Sequence, residues 1–205
     1  KVADAAAFVY VNGELPVKNM AEFRDYVQQR KGQVNYGTPG AGTTPELSAW
    51  KLSEALEGDM LGIHYRGSAP GIQALLSNEV QMFVSSYGLG AAFLPEGRVK
   101  ALAVALPERF PALPDVPTME ELGYKAFNAS FWNGLLGPAG LPAPIAGRVA
   151  EAVNKVLAQP EVLKRIAPTG NDVDGKSNPQ RMAQMIKEDY AQWADVVRVA
   201  NIKAE

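Results

Sequence analysis

The chain has 205 residues, a formal net charge of −2, 47% hydrophobic and 20% charged residues, no cysteine and one histidine, His64. A chain this long buries a real core as one large or two small domains; without cysteine it has no disulfide, thiolate metal site or cysteine nucleophile. A lone histidine rules out a multi-histidine metal centre and commits any Ser-His-Asp triad to His64, the lack of a basic block argues against a nucleic-acid surface, and the apolar runs are too short and broken to span a membrane.

The chain opens at Lys1 without an initiator methionine or a signal peptide, as a mature protein or an excised fragment does. Residues 8–13, FVYVNG, read as a strand ending in a turn. A helix follows over 19–32, with Asn19 as its cap and Gly32 as its stop. A strand over 33–37 leads into YGTPGAGTTPEL at 36–47, and the helix over 43–58 puts Leu47, Trp50, Leu52 and Leu56 near helical spacing. Strands over 59–67, 80–86 and 98–106 alternate with helices over 68–79 and 88–97. That alternation is the pattern of an α/β unit with a largely parallel sheet.

The middle of the chain changes character. Residues 107–124 carry four prolines, at 107, 111, 114 and 117, and read as an extended surface loop ending in a short helix. A long strand over 127–138 follows, then two helices over 142–159 and 179–202. The first aligns Val149, Val153 and Val156/Leu157; the second aligns Met182, Met185/Ile186, Tyr190 and Trp193. These stripes need a surface to pack on.

The stretch at 36–47 is the most informative. Gly37, Pro39, Gly40 and Gly42 let the backbone approach a ligand closely, Thr43 or Thr44 can cap the helix, and Pro45 suits its first turn. A helix N-terminus offers unpaired N–H groups and partial positive charge, so the stretch reads as an anion cradle. The plainer reading is a tight strand-to-helix turn. The loop has neither the lysine of a P-loop nor the spacing GxGxxG, which weakens the reading as an α/β enzyme that binds a phosphorylated substrate.

Together with HYRGSAPGIQALLSNEVQMF at 64–83, RVKALAVA at 98–105, FPALPDVPTMEELGY at 110–124 and SFWNGLLGPAGLP at 130–142, this stretch resembles the Bug receptors. These are the periplasmic solute-binding proteins of tripartite tricarboxylate transporters. The resemblance covers nearly the whole chain in order. It implies a periplasmic-binding-protein fold of two α/β domains with the ligand between them, joined by crossing strands at 8–13 and 127–134. It further implies that roughly the first third of such a receptor is missing. Residues 6–127 are then the complete second domain, and 128–205 the returning strand and C-terminal helices of the first. The orphaned tail invites rearrangement, a partner or a domain-swapped oligomer.

By resemblance, Thr38, Gly40, Ala41, Gly42, Thr43 and Thr44 hold a ligand carboxylate through N–H groups and hydroxyls. Ser85, Ser86 and Tyr87 end the next strand, where open α/β sheets place ligands. Aligned without a gap, Ser85 falls where many relatives carry aspartate; the plainer role of the serines is to cap the next helix. Arg66 could help attract an anion but reads first as a solvated charge, His64 reads as structural, and Trp132, which the resemblance sets near the cleft wall, reads first as core packing. Glu54, Glu57, Asp59 and the Glu120–Glu121 pair read as solvated carboxylates. No catalytic set, metal site or cofactor is expected. The implied function is capture of a small carboxylate for the membrane components of the transporter. The competing reading is a truncated chain that has lost ligand capture and serves as an interaction module.

Overall fold

The computed structural model describes residues 1–124, 127, 131–173, 175–176 and 178–202. Two strands, β1 (Ala3–Ala5) and β2 (Ala7–Asn12), follow each other with only Ala6 between them. They belong to different sheets. β2 is buried along its whole length. It pairs antiparallel with β5 (Met82–Ser86) on one side and β6 (Val99–Val104) on the other. Beyond β5 lie β3 (Asn35–Thr38) and β4 (Leu61–His64), parallel to each other and to β5. The order is β4-β3-β5-β2-β6.

The expected parallel character holds for four of these strands, and β2 alone runs against them. The register gives the reason: Ala7, the first residue of β2, lies opposite Ser86, the last of β5. The chain enters this sheet from the other one, at the C-terminal edge of its neighbours, so it has to run backwards. The second sheet has the order β7-β1-β8, with β7 at Phe131–Asn133 and β8 at Asn171–Asp172, both antiparallel to β1.

Alternation along β2 divides the core. Ala7, Val9 and Val11 point to one face and pack with Phe23 and Val27 of α1 (Met20–Gln29) and Leu52 and Leu56 of α2 (Thr44–Leu56). Phe8 and Tyr10 point to the other, with Ile72 and Leu75 of α3 (Ser68–Leu76), Phe83 and Val104. Gly71 of α3 lets the helix lie on Phe83: a Cβ there would sit 2.5 Å from the ring. α1 starts as expected, with the Asn19 side chain accepting from Glu22 N–H and Glu22 reaching back to Lys18 N–H at 2.8 Å.

Other boundaries move. The helix expected over 88–97 is one turn, α4 (Tyr87–Gly90), continued by a 3₁₀ turn at Ala91–Phe93. The short helix expected before residue 124 is a series of turns. Its Thr118 N–H donates to the Glu121 carboxylate and Glu121 N–H to the Thr118 hydroxyl, and Glu121 pairs with Arg109 at 3.0 Å rather than being merely solvated. The Arg109 hydrogen bond holds the Glu121 carboxyl below its usual range. The long strand expected over 127–138 is regular only at 131–133, with 128–130 outside the described residues. The first crossing falls at Ala5–Ala7, upstream of the expected 8–13.

The tail holds α5 (Ala143–Leu157), α6 (Pro160–Ile166) and α7 (Pro179–Val199). α6 and β8 were not anticipated; neither is long enough to show a periodic stripe. Of α5 only Leu157 is buried, whereas Ile145 is 49% and Val149 44% exposed. The apolar stripe read from the sequence is thus left without a surface over much of its length.

Two outcomes follow for stability. Phe8 is fully buried and meets Tyr10, Tyr87 and Phe110 at ring distances of 5.7, 5.8 and 5.5 Å. Phe8→Ala should lower unfolding free energy by about 3–5 kcal/mol in urea titration. A loss below about 1 kcal/mol would mean that this core is not formed. The second concerns pH. Burial, with the Glu46 and Glu54 charges adding to it, pushes the Tyr36 phenol up to about 12, and burial raises Tyr10 as well. A raised folded-state pKa means that the stabilisation is complete below the unfolded value near 10 and is lost as pH climbs towards 12. Phenolate absorbance should therefore lag in the native protein, with stability falling above pH about 10. All seven tyrosines titrating together near 10 in the folded protein would contradict this burial.

Candidate functional site

Strands β3, β4 and β5 end side by side, and the glycine-rich loop leaves β3 there to start α2. Gly40 and Gly42 have φ of +143° and +74°, values that disfavour a side chain. The Thr43 hydroxyl donates to Gly40 C=O at 2.7 Å, which closes the loop on itself. Thr43 is the N-cap residue but makes no side-chain cap. The cap expected of the threonines is replaced by Glu46, whose buried carboxylate accepts from Gly42 N–H at 2.6 Å. The other Glu46 oxygen lies 3.4 Å from His64 Nε2, and His64 Nδ1 lies 2.8 Å from the buried Thr38 hydroxyl. Thr38 also accepts from Gly40 N–H at 3.3 Å. His64 is therefore structural, as read: it ties the end of β4 to the loop. Glu46 escaped the sequence reading because a glutamate in the first turn of a helix is commonplace.

A cleft of about 900 Å³ opens beside the loop, between the two sheets. Of the residues expected to hold ligand, Gly42, Thr44, Ser85 and Ser86 line it, joined by Ser68 at the start of α3. Thr38, Gly40, Ala41, Thr43 and Tyr87 are not on its wall. Thr38 sits fully buried behind the loop, and Tyr87 packs on Phe110 at 4.7 Å. The serines make no side-chain cap on α4, so they are not spent on that plainer role.

The opposite wall comes from the tail. Trp132 of β7, Asn171 of β8 and Asp189, Tyr190 and Trp193 of α7 face the same space. Trp132 is not core packing: its indole N–H donates to Asp189 Oδ2 at the cleft. α7 also packs against α2, where Lys51 Nζ lies 5.6 Å over the Trp193 ring. Apart from Trp132, which the resemblance sets near the cleft wall, the local sequence announces none of this wall. Its residues form a helical stripe that looks like packing, and only the return of the chain past β1 brings them opposite the loop. Arg66 is exposed and lies off the wall.

Among the described residues no helix is long and apolar enough to cross a membrane. The chain matches, over residues 1–202, the family described as tripartite tricarboxylate transporter family receptor. It is similar to a curated protein of Pseudomonas sp. (strain P51), described as "UPF0065 protein in tcbD-tcbE intergenic region", at 29% identity over 184 residues, 86% of this chain and 54% of that one. Among solved structures it is similar to the periplasmic binding protein BugD, with TM-score 0.90 and 30% identity over all of this chain and 69% of that one. It is also similar to MatC from Rhodopseudomonas palustris with bound malate, with TM-score 0.87 and 31% identity over 95% of this chain and 67% of that one. The chain thus spans about half the length of the first curated relatives it matches. A family match over almost every residue, on a fold shared with periplasmic binding proteins, shows that the chain belongs to the tripartite tricarboxylate transporter receptor family.

Proposed function

We propose that this chain captures a small carboxylate in the cleft between its two sheets and delivers it, in the periplasm, to the membrane components of a tripartite transporter. The observation that carries the reading is the wall of donors at the ends of β3 and β5. Thr44, Ser68, Ser85 and Ser86 meet there on one cleft of about 900 Å³, beside Gly42, whose N–H is held by Glu46. A carboxylate is well served by several hydroxyl and N–H donors without an arginine. The malate bound to MatC supports the same class of ligand. In this reading residues 6–127 form the complete ligand-loop domain and 128–205 contribute to the other.

One observation favours the interaction-module reading. A second hollow of about 620 Å³, walled by apolar residues including Leu135, Leu136, Ile145, Val149 and Met182, lies open between α5 and α7.

Calorimetric titration with malate separates the two. The 205-residue chain should bind malate and be stabilised by it in proportion to ln(1 + [L]/Kd). Gly42→Val places a β-branched residue at φ +74°, next to the donors, and should weaken binding by about tenfold or more. The double variant Ser85→Ala/Ser86→Ala, which leaves the loop untouched, should weaken it too. Binding unchanged in both variants would overturn the cradle. A folded, self-associating chain that binds no carboxylate would favour the interaction module.

A further inference from the structure

Glu46 is a buried carboxylate for which the capture of an anion has no evident use. Its side chain is 5% exposed, and one of its oxygens accepts at 2.6 Å from the N–H of Gly42, a residue of the cleft wall. The other oxygen lies 3.4 Å from His64 Nε2. His64 Nδ1 lies 2.8 Å from the Thr38 hydroxyl, which accepts in turn from Gly40 N–H. An imidazole serves this chain of contacts in two states. Neutral, it takes the Thr38 O–H at Nδ1 and offers its own proton on Nε2 to Glu46. Charged, it donates at both nitrogens. The His64 side chain is 43% exposed, so it exchanges protons with solvent while Glu46 stays buried. The other neighbours do not change charge near neutral pH. On β3, Tyr36 lies against Gly62, two residues before His64, and its phenol is pushed up to about 12 by burial and by the Glu46 and Glu54 charges. On α2, Lys51 lies over the Trp193 ring. α3 carries no titratable side chain, Tyr65 donates to Glu79 at 2.7 Å, and Arg66 is exposed off the cleft wall.

A carboxylate held by Thr44 and the serines sits on a wall with the charge of Glu46 one peptide group behind it. Like charges near a protein surface repel, and a positive group beside one of them cancels much of that repulsion. With His64 neutral, this corner of the cleft carries one negative charge; with His64 charged, the pair carries none. Such a coupling is reciprocal. If the charged imidazole tightens the hold on an anion, the bound anion tightens the hold on the proton by the same factor. His64 is the single histidine of the chain, and histidine is the side chain that ordinarily changes charge between about pH 5 and 8. Resting on the receptor reading above, we infer that His64 and Glu46 link carboxylate capture to a proton: the cleft binds its anion more tightly when His64 is charged, and binding takes up a proton.

The test titrates malate calorimetrically into the whole chain at pH about 6.5, 7.5 and 8.5, where carboxylates are ionised throughout. Buffers of low and high ionisation enthalpy report the protons exchanged. The unaltered chain should bind about threefold or more tighter at the lowest pH than at the highest, with proton uptake at the middle one. His64→Gln keeps a polar partner for Thr38 but cannot become charged. It should bind with the weaker affinity at every pH and take up no proton. Glu46→Gln keeps an oxygen for Gly42 N–H and removes the charge. At the highest pH it should bind about threefold or more tighter than the unaltered chain, a gain that a purely structural tie would not give. The imidazole resonances of the single histidine decide the matter even where a variant fails to fold: malate should keep the ring charged to higher pH. An affinity that does not vary with pH, uptake that persists in His64→Gln, Glu46→Gln folded but binding no tighter, or a ring titration that malate leaves unmoved would each overturn the linkage while leaving carboxylate capture standing. No binding of malate at any of the three pH values would overturn capture and linkage together.

Discussion

Residues 3–12 act as the middle strand of two sheets in succession. β1 is flanked by β7 and β8, and β2 by β5 and β6, with one alanine between them. Both halves of this run are paired on both sides, and β2 is buried from end to end. The strand therefore cannot slide or turn over without undoing both sheets, because a shift by one residue would exchange the two core faces. It also fixes the place of the site. The passage from one sheet to the other occurs at the C-terminal ends of β3 and β5, so the space between the sheets is bounded there by the loop on one side and the tail on the other.

The loop itself is held by its own groups before any ligand arrives. Thr43 closes it, Thr38 and His64 join it to β4, and Glu46 occupies one of its N–H groups. An orphan donor at a helix end is satisfied by some acceptor, and here the chain supplies one. Such preorganisation lowers the ordering cost of binding. In the proposed reading, anion capture then depends on the remaining donors, Thr44 and the serines of β5 and α3, more than on the centre of the glycine run. The glycine-rich turn read from the sequence is present as a rigid corner, and its cleft-lining residues, Gly42 and Thr44, stand at its rim.

Much of this was legible from local pattern. The apolar alternation of β2, the Asn19 cap and the glycine-rich turn each report a constraint that lies within a dozen residues of itself, and each element formed close to its expected position. The donor half of the cleft was legible for the same reason. The other half was not. Asp189, Tyr190 and Trp193 stand on a helix far along the chain, and a stripe at their spacing has the same appearance whether it meets a core or a cleft. Trp132 was read as packing because its partner Asp189 is distant in sequence. β8, two residues long, exists only because β1 offers it an edge. Pairing across long sequence separation decides these features, and a local reading does not contain it.

The central claim is that the rim of the glycine-rich loop and the end of β5 together hold the carboxylate. A titration followed by ¹H–¹⁵N correlation spectra tests it residue by residue, with malate as the probe. The account predicts saturable shifts concentrated at the amides of Gly42, Thr44, Ser68, Ser85 and Ser86, with the Trp132 indole N–H responding from across the cleft. Saturable shifts confined to the α5 and α7 surface, with those amides unmoved, would contradict it.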